Sequence, residues 1–268
     1  MIILTGHEGF IGKNFCDSLD LENVYRVEMN GAYLFLEEYK DWDKVELILH
    51  QGAISSTVET DINKIHKYNV DFTLKLFEKA IQYQIPVKYA SSASVYGNTL
   101  TSIMNPLNYY AISKLQIDYW VQQNMSKFKL IQGFRYFNVF GEYEDHKVKQ
   151  NQSSPVSKFI NDIKKEGKIR LFERSDKMER DFVYVKDLVD IVLNNTLPSG
   201  IYDLGTASPV SFQHVADVII DKLGGEIEYI PFPEHLKGKY QYYTCAKMNY
   251  LENYNFTTVE EYVKNCIH

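Results

Sequence analysis

Residues 1–12 read MIILTGHEGFIG. An apolar run, Ile2 to Leu4, breaks into three glycines spaced three apart, Gly6, Gly9 and Gly12, and a helical pattern starts at Phe10. Strand, glycine turn and helix in that order predict the opening of a dinucleotide-binding βαβ unit. Glycine lets the backbone turn tightly and approach a pyrophosphate, which then rests on the N–H groups at the helix start. The spacing is one residue wider than the usual G-x-G-x-x-G. His7 and Glu8 stand where small residues are expected, and Glu8 must face outward to avoid repelling a phosphate.

Outward from this turn, apolar runs alternate with amphipathic stretches. Strands are predicted at residues 25–29, 45–49, 87–91 and 130–139, and helices over 10–19, 62–82 and 109–123. Such alternation defines an α/β fold with a Rossmann-type, doubly wound parallel sheet. After Gly141 the rhythm changes. A polar loop at 147–154 leads to a helix near 156–165, short strands at 169–172, 182–185 and 201–204, and helices after Lys186 and Ser211. The expected organisation is a dinucleotide-binding domain, 1–141, with 182–206 returning to it. A smaller α+β substrate lobe is built from 142–181 and 207–268.

The 268 residues carry a net charge of -6, with 45% hydrophobic and 24% charged side chains, which places the chain among globular proteins and away from nucleic-acid binders. No basic block, signal-peptide pattern or membrane-length apolar segment is present, so a cytoplasmic protein without membrane or nucleic-acid partners is expected. Cys16, Cys245 and Cys266 are scattered without metal-ligand spacing, and no metal is expected.

Glu28 lies sixteen residues beyond Gly12, at the end of the second strand, where a carboxylate can accept hydrogen bonds from an adenosine ribose. A solvated acid is the alternative. Farther on, ASSASVYG (90–97) closes a strand and NPLNYYAISK (105–114) opens a helix. Tyr110 and Lys114 are four apart and share a helical face, with Ser92 at the strand's end. An ammonium near the phenol, together with an oxidised nicotinamide, would favour the phenolate as a base. Lys147, in FGEYEDHKVKQ (140–150), reads by itself as a solvated lysine.

These segments together resemble the extended short-chain dehydrogenase/reductases and, within them, the ADP-L-glycero-D-manno-heptose 6-epimerase family. HQGAISSTVETD (50–61), YASSASVYG, PLNYYAISK, GFRYFNVFG, the pair His146–Lys147, RDFVYVKD and IEYIPFPEHLKGKYQYYT (227–244) follow that family's order along nearly the whole chain. The resemblance implies an NAD(P)-dependent isomerase acting in carbohydrate metabolism, on a lipopolysaccharide precursor. An ADP-heptose is oxidised at C6 to a transient ketone and receives hydride back on the opposite face. Tyr110 and Lys147 would be the two acid/base groups, assisted by Ser92 and Lys114. Cofactor contacts would come from Gly6, Gly9, Phe10, Ile11, Gly12, Glu28, Met29, Gln51, Gly52, Ala53, Ile54, Ser55, Asn69, Lys114 and Val139. Substrate contacts would come from Ser92, Asn138, Phe172, Glu173, Arg174, Ser175, Arg180 and Tyr240. Arg180 suits a diphosphate because its fork bonds two phosphate oxygens; an ion pair with Asp181 or Asp187 is the structural alternative. A homo-oligomer is expected.

Departures from the family cluster around nucleotide and sugar. Only 21 residues separate Glu28 from His50, and the family's basic residue there has no clear counterpart, with Lys40 as a candidate. NADP follows from the resemblance, and the short segment leaves NAD open. Arg174 stands where glycine is usual, and Lys158 or Phe159 where the family has a histidine. Another nucleotide-sugar epimerase or a dehydratase stays open, although Ala93 and Ser94 take the place of a dehydratase's acid pair. A nucleotide-binding protein on a retired scaffold is the non-enzyme alternative.

Overall fold

The computed structural model describes residues 1–98, 103–149, 152–234, 240–251 and 254–266. The predicted LKGK at 236–239 lies outside them. Strands run β1 Ile2–Thr5, β2 Val24–Val27, β3 Leu47–His50, β4 Val87–Ser92, β5 Ile131–Tyr136, β6 Asn138–Phe140, β7 Lys168–Phe172, β8 Glu179–Arg180, β9 Phe182–Tyr184, β10 Gly200–Leu204, β11 Val210–Ser211 and β12 Glu226–Ile230. Helices are α1 Phe10–Asp17, α2 Ala32–Glu38, α3 Ile62–Ile65, α4 Phe72–Tyr83, α5 Tyr109–Asn124, α6 Asp145–Lys149, α7 Pro155–Glu166, α8 Val185–Asn194, α9 Phe212–Leu223 and α10 Val259–Cys266.

Six strands form one sheet in the order β10-β5-β4-β3-β1-β2. The pairings from β2 to β5 are parallel, with Ile2 opposite both Val24 and Leu47, and Val87 opposite Ile131. From β1 the chain steps one way to β2 and then back past β1 to β3. The glycine turn after β1 therefore sits at the switch point, where ligands bind in open α/β sheets. Ile3, Ile48, Val87 and Ile131 are fully buried and pack with Leu76, Phe77 and Ala80 of α4 and Ile117 and Val121 of α5. These strands are apolar on both faces, as a sheet covered on both sides requires.

Two expectations break locally. The helix predicted over 62–82 is interrupted by a π-helical turn, His66–Asp71. The strand predicted over 130–139 is two strands. At Phe137 the chain leaves the large sheet: Phe137 N donates to Leu204 O, Asn138 N donates to Asp181 O, and β6 pairs in parallel with β9.

The chain divides into two units, 1–95 with 106–136 and 189–202, and 96–105 with 137–188 and 203–268. The predicted boundary after Gly141 accordingly falls at Phe137, and of residues 182–206, assigned to the first domain from the sequence, 182–188 and 203–206 belong to the second unit. The second unit holds the parallel pairs β6–β9 and β7–β12 and the antiparallel pair β8–β11. Its core gathers Phe140, Phe182, Tyr184 and Tyr262. Among the described residues no helix is long and apolar enough to cross a membrane, and no group of three His, Cys, Asp or Glu could hold a metal ion.

Candidate active site

In the first unit the glycine turn is sterically compulsory at two positions. Gly6 has φ +72°, and a Cβ there would lie 2.5 Å from Gly52 Cα; at Gly12 it would lie 1.9 Å from Gly6 O. No side chain caps α1 and no acid sits in its first turn, which suits an anion at its start. Glu8 is exposed, as expected, and its N–H donates to Glu28 Oε1 at 2.7 Å. His7 Nδ1 is 3.2 Å from the same oxygen. Glu28 therefore ties the residue after β2 to the glycine turn, and its Oε2 has no donor among the described residues. Lys40 does not approach it as the sequence suggested. Its Nζ donates to Glu37 O at 2.8 Å, at the end of α2.

The stretch Gln51 to Ser55, with Gly52, Ala53 and Ile54 between, is held from both sides. Asn69, in the π-helical turn, accepts from Ile54 N at 2.8 Å and donates to Ile54 O and Ser113 Oγ. Its amide is committed within the chain, so Asn69 shapes the cofactor loop. Gly52 N donates to Thr5 Oγ1. His50 is hydrogen-bonded to Thr5 Oγ1 through Nδ1 and to Thr73 Oγ1 through Nε2, both at 2.7 Å. Thr73 donates its own proton to Asn69 O, so Nε2 carries the ring proton and Nδ1 accepts from Thr5. Burial, with the Lys114 charge adding, pulls the His50 pKa down to about 3 and keeps the ring neutral. Gln51 Oε1 accepts from Tyr136, while its buried Nε2 finds no acceptor. An unsatisfied amide beside the glycine turn fits a polar ligand, and these residues together fit a dinucleotide.

Tyr110 and Lys114 lie one turn apart on α5, whose first turn is capped by Asn108 Oδ1 accepting from Ala111 N. Tyr110 is half-buried and hydrogen-bonded to Ser92 at the end of β4. Burial raises its pKa above 10, and the Ser92 bond works against that rise. The phenolate expected from the sequence is thus not favoured by the protein alone. Lys114 Nζ sits 6.0 Å from the Tyr110 ring centre and donates to Ala90 O at 2.7 Å. Burial brings its own pKa down to about 8, with Asp118 pulling the other way. Asp118 escaped the sequence reading. It lies four residues beyond Lys114, is buried, and accepts from Tyr89 Oη, Ser91 Oγ and Arg135 Nε at 2.9–3.0 Å. The spacing, one helical turn past the lysine, was the available signal.

In the second unit Lys147 belongs to the short α6 and is half-buried, not in the open loop predicted at 147–154. Burial lowers its pKa, and the Glu144 carboxylate pulls it back up. Val139 lies in β6 opposite Val183, and Asn138 Oδ1 accepts from Thr244 Oγ1 at 3.5 Å. Arg180 is 5% exposed and lies between two rings, 5.3 Å from Tyr240 and 5.4 Å from Phe212. Its Nη1 donates to Glu179 O, and it is hydrogen-bonded to Tyr240. Neither proposed carboxylate partner is available. Asp181 accepts from Thr206, Ala207 and Ala246, and Asp187 from Thr257. A buried guanidinium with no anion among the described residues is costly unless a ligand supplies one.

Phe172, Phe232, Tyr240 and Tyr242 pack as an aromatic cluster with ring centres 5.2–6.3 Å apart. After Phe172 the chain turns through Glu173, whose N–H donates to Ile230 O, and Arg174, exposed and left-handed at φ +65°. Ser175 is buried and donates to Gln213, so it holds the turn. Phe159 is a core residue of α7, and Lys158 is exposed and paired with Asp162.

The NAD dependent epimerase/dehydratase family model matches residues 2–195, and the chain belongs to that family. The ADP-L-glycero-D-manno-heptose-6-epimerase of Alkalilimnicola ehrlichii is 36% identical over 308 aligned positions, covering 99% of this chain and 96% of that one. The crystal structure of the Helicobacter pylori ADP-L-glycero-D-manno-heptose-6-epimerase superposes with a TM-score of 0.80 at 24% identity, over 98% of this chain and 93% of that one. A UDP-N-acetylglucosamine 4-epimerase from Methanobrevibacter ruminantium gives 0.80 at 19% identity, over 98% and 96%.

Proposed function

We propose that the chain is an NAD(P)-dependent nucleotide-sugar epimerase that inverts C6 of an ADP-glycero-manno-heptose. The observation that carries this is Lys147, a half-buried amine drawn toward neutrality, in a chain that also holds the Ser92–Tyr110–Lys114 set. The C6 carbinol has no acidic C–H, so inversion requires reversible oxidation. A bound nicotinamide supplies the hydride acceptor and donor. Tyr110 moves the hydroxyl proton of one epimer and Lys147 that of the other, because the two carbinols direct their oxygens differently. Ser92 donates to the reacting oxygen, and Lys114 positions the cofactor and supplies positive charge beside the phenol. Arg180, Asn138 and Tyr240 bind the nucleotide sugar, with the guanidinium on the diphosphate.

The cofactor is held by the glycine turn, Glu28 and the 51–55 loop. Glu28 without a cation beside it accepts a 2′-hydroxyl more readily than a 2′-phosphate, so NAD binds at least as well as NADP. Incubation with ADP-D-glycero-D-manno-heptose, followed by NMR of C6, tests the reading. Equilibration with the L-glycero epimer is expected. An unchanged substrate, with cofactor bound, would contradict it.

A further inference from the structure

The segment carrying Lys147 is held in an unfavourable backbone. Gly141 has φ +143°, and a Cβ there would lie 2.6 Å from Val185 Cγ1. Tyr143, exposed and not glycine, sits at φ +73°. Left-handed backbone at such a residue is unfavourable and persists only when its surroundings enforce it. The enforcement comes from the two acids flanking Tyr143. Glu142 accepts from Tyr184 Oη at 2.6 Å. Glu144 does more: only 3% exposed, it accepts from Gly141 N at 3.2 Å, Ser154 N at 2.6 Å, Ser154 Oγ at 2.7 Å and Ser157 Oγ at 2.8 Å. Its own carbonyl accepts from Lys147 N at 2.8 Å and Val148 N at 3.0 Å and so begins α6.

One residue thus joins the chain before the segment, the segment itself and the start of α7. Four donors converge on an acceptor-only group, a demand that a glutamine with its own N–H₂ cannot meet. We infer that Glu144 is the positioning residue for Lys147: its buried carboxylate ties residues 141–149 to the start of α7 so that the amine is presented in one place. This rests on Lys147 being the second acid/base group. Glu144 touches neither substrate nor cofactor in this role; it acts through the lysine. Displacement of an acid/base group by about 1 Å is enough to cost on the order of a hundredfold in rate.

The test uses a substrate analogue with an aldehyde at C6, whose dismutation needs one oxidation and one reduction but no inversion. Glu144→Gln is made in the wild-type, Tyr110→Phe and Lys147→Met proteins, with folding checked by circular dichroism and thermal melting. Alone it should lower kcat for C6 inversion about ten- to a hundredfold with KM nearly unchanged. In Tyr110→Phe, which relies on Lys147, it should cost dismutation a similar factor. In Lys147→Met it should cost nothing further. Equal losses in both backgrounds, or none in Tyr110→Phe, would overturn the inference while leaving the epimerase reading intact. Wild-type inversion by Lys147→Met would instead remove the role of Lys147 on which the inference rests, and no inversion by the unmodified protein would overturn the epimerase reading itself. If Glu144→Gln does not fold, Ser157→Ala removes one of the four donors and should show the same background dependence, more weakly; its absence in a folded Ser157→Ala counts against the inference.

Discussion

The two units hold their proposed acid/base groups in opposite ways. Tyr110 and Lys114 project from a sixteen-residue helix, and Ser92 ends a strand whose neighbours are fully buried. They stand on packed elements, with Lys114 Nζ also donating to Ala90 O and Tyr110 hydrogen-bonded to Ser92. Lys147 sits on a five-residue helix after a left-handed tyrosine, and side-chain hydrogen bonds to a single carboxylate hold it. A group placed by a core tolerates polar changes around it. A group placed by a polar clamp does not, and α6 itself buries no residue.

The sharpest break of this comparison is removal of both groups. Tyr110→Phe with Lys147→Met should abolish dismutation of the C6 aldehyde, whereas each single variant keeps part of it. Loss of one positioned acid/base group costs on the order of 10²–10⁴-fold. A double variant as active as either single one would show that one residue serves both epimers.

The next effect concerns binding. Arg180→Met should raise KM about ten- to a hundredfold with kcat less affected, since a hydrogen bond to a charged group contributes roughly 1.5–3 kcal/mol. Arg180→Lys keeps the charge without the fork and should recover only part of this. Steady-state kinetics decide it. An unchanged KM for Arg180→Met would make Arg180 a ring-stacked structural residue.

How far these features were legible in the sequence differs between the units for the same physical reason. Hydrophobic patterning marks β1 and β4, with Gly6 and Ser92, while Tyr110 and Lys114 of α5 stand out by their spacing. Such patterning does not mark the π-helical turn, because an i→i+5 bond leaves the apolar pattern of 62–82 unbroken. Nor does it mark the change of sheet at Phe137, where FRYFNVF runs apolar through the break. Nothing in the sequence singles out Glu144 or Asp118, and Asp181 stands out only as an ion-pair partner for Arg180. Each is a buried acceptor whose donors come from distant positions, such as Ala246 for Asp181, and no local pattern encodes that.

A smaller effect follows from His50. Its folded pKa of about 3 lies below the unfolded 6.5, so the unfolded chain binds more protons between those values. The stabilisation is complete above 6.5 and is lost as pH falls toward 3, reaching about 2 kcal/mol by pH 5. Urea midpoints at pH 7 and 5 should therefore diverge more in the wild type than in His50→Gln. Equal divergence would mean that the ring is solvated when folded.

The smallest expected effect is the cofactor preference. Calorimetry with NAD and NADP should give comparable affinities or a several-fold advantage for NAD, lost in Glu28→Ala. A clear preference for NADP would require a cation to reach the 2′-phosphate, and Arg26, exposed on β2, would then be the residue to substitute first.

The contrast between the units turns on Lys147, and the most direct measurement is C6 inversion by Lys147→Met. NMR of ADP-D-glycero-D-manno-heptose incubated with the folded variant should show epimerisation slowed at least a hundredfold, while dismutation of the C6 aldehyde continues through Tyr110. Inversion at the wild-type rate would contradict the assignment and leave Lys147 an ordinary lysine on a clamped loop.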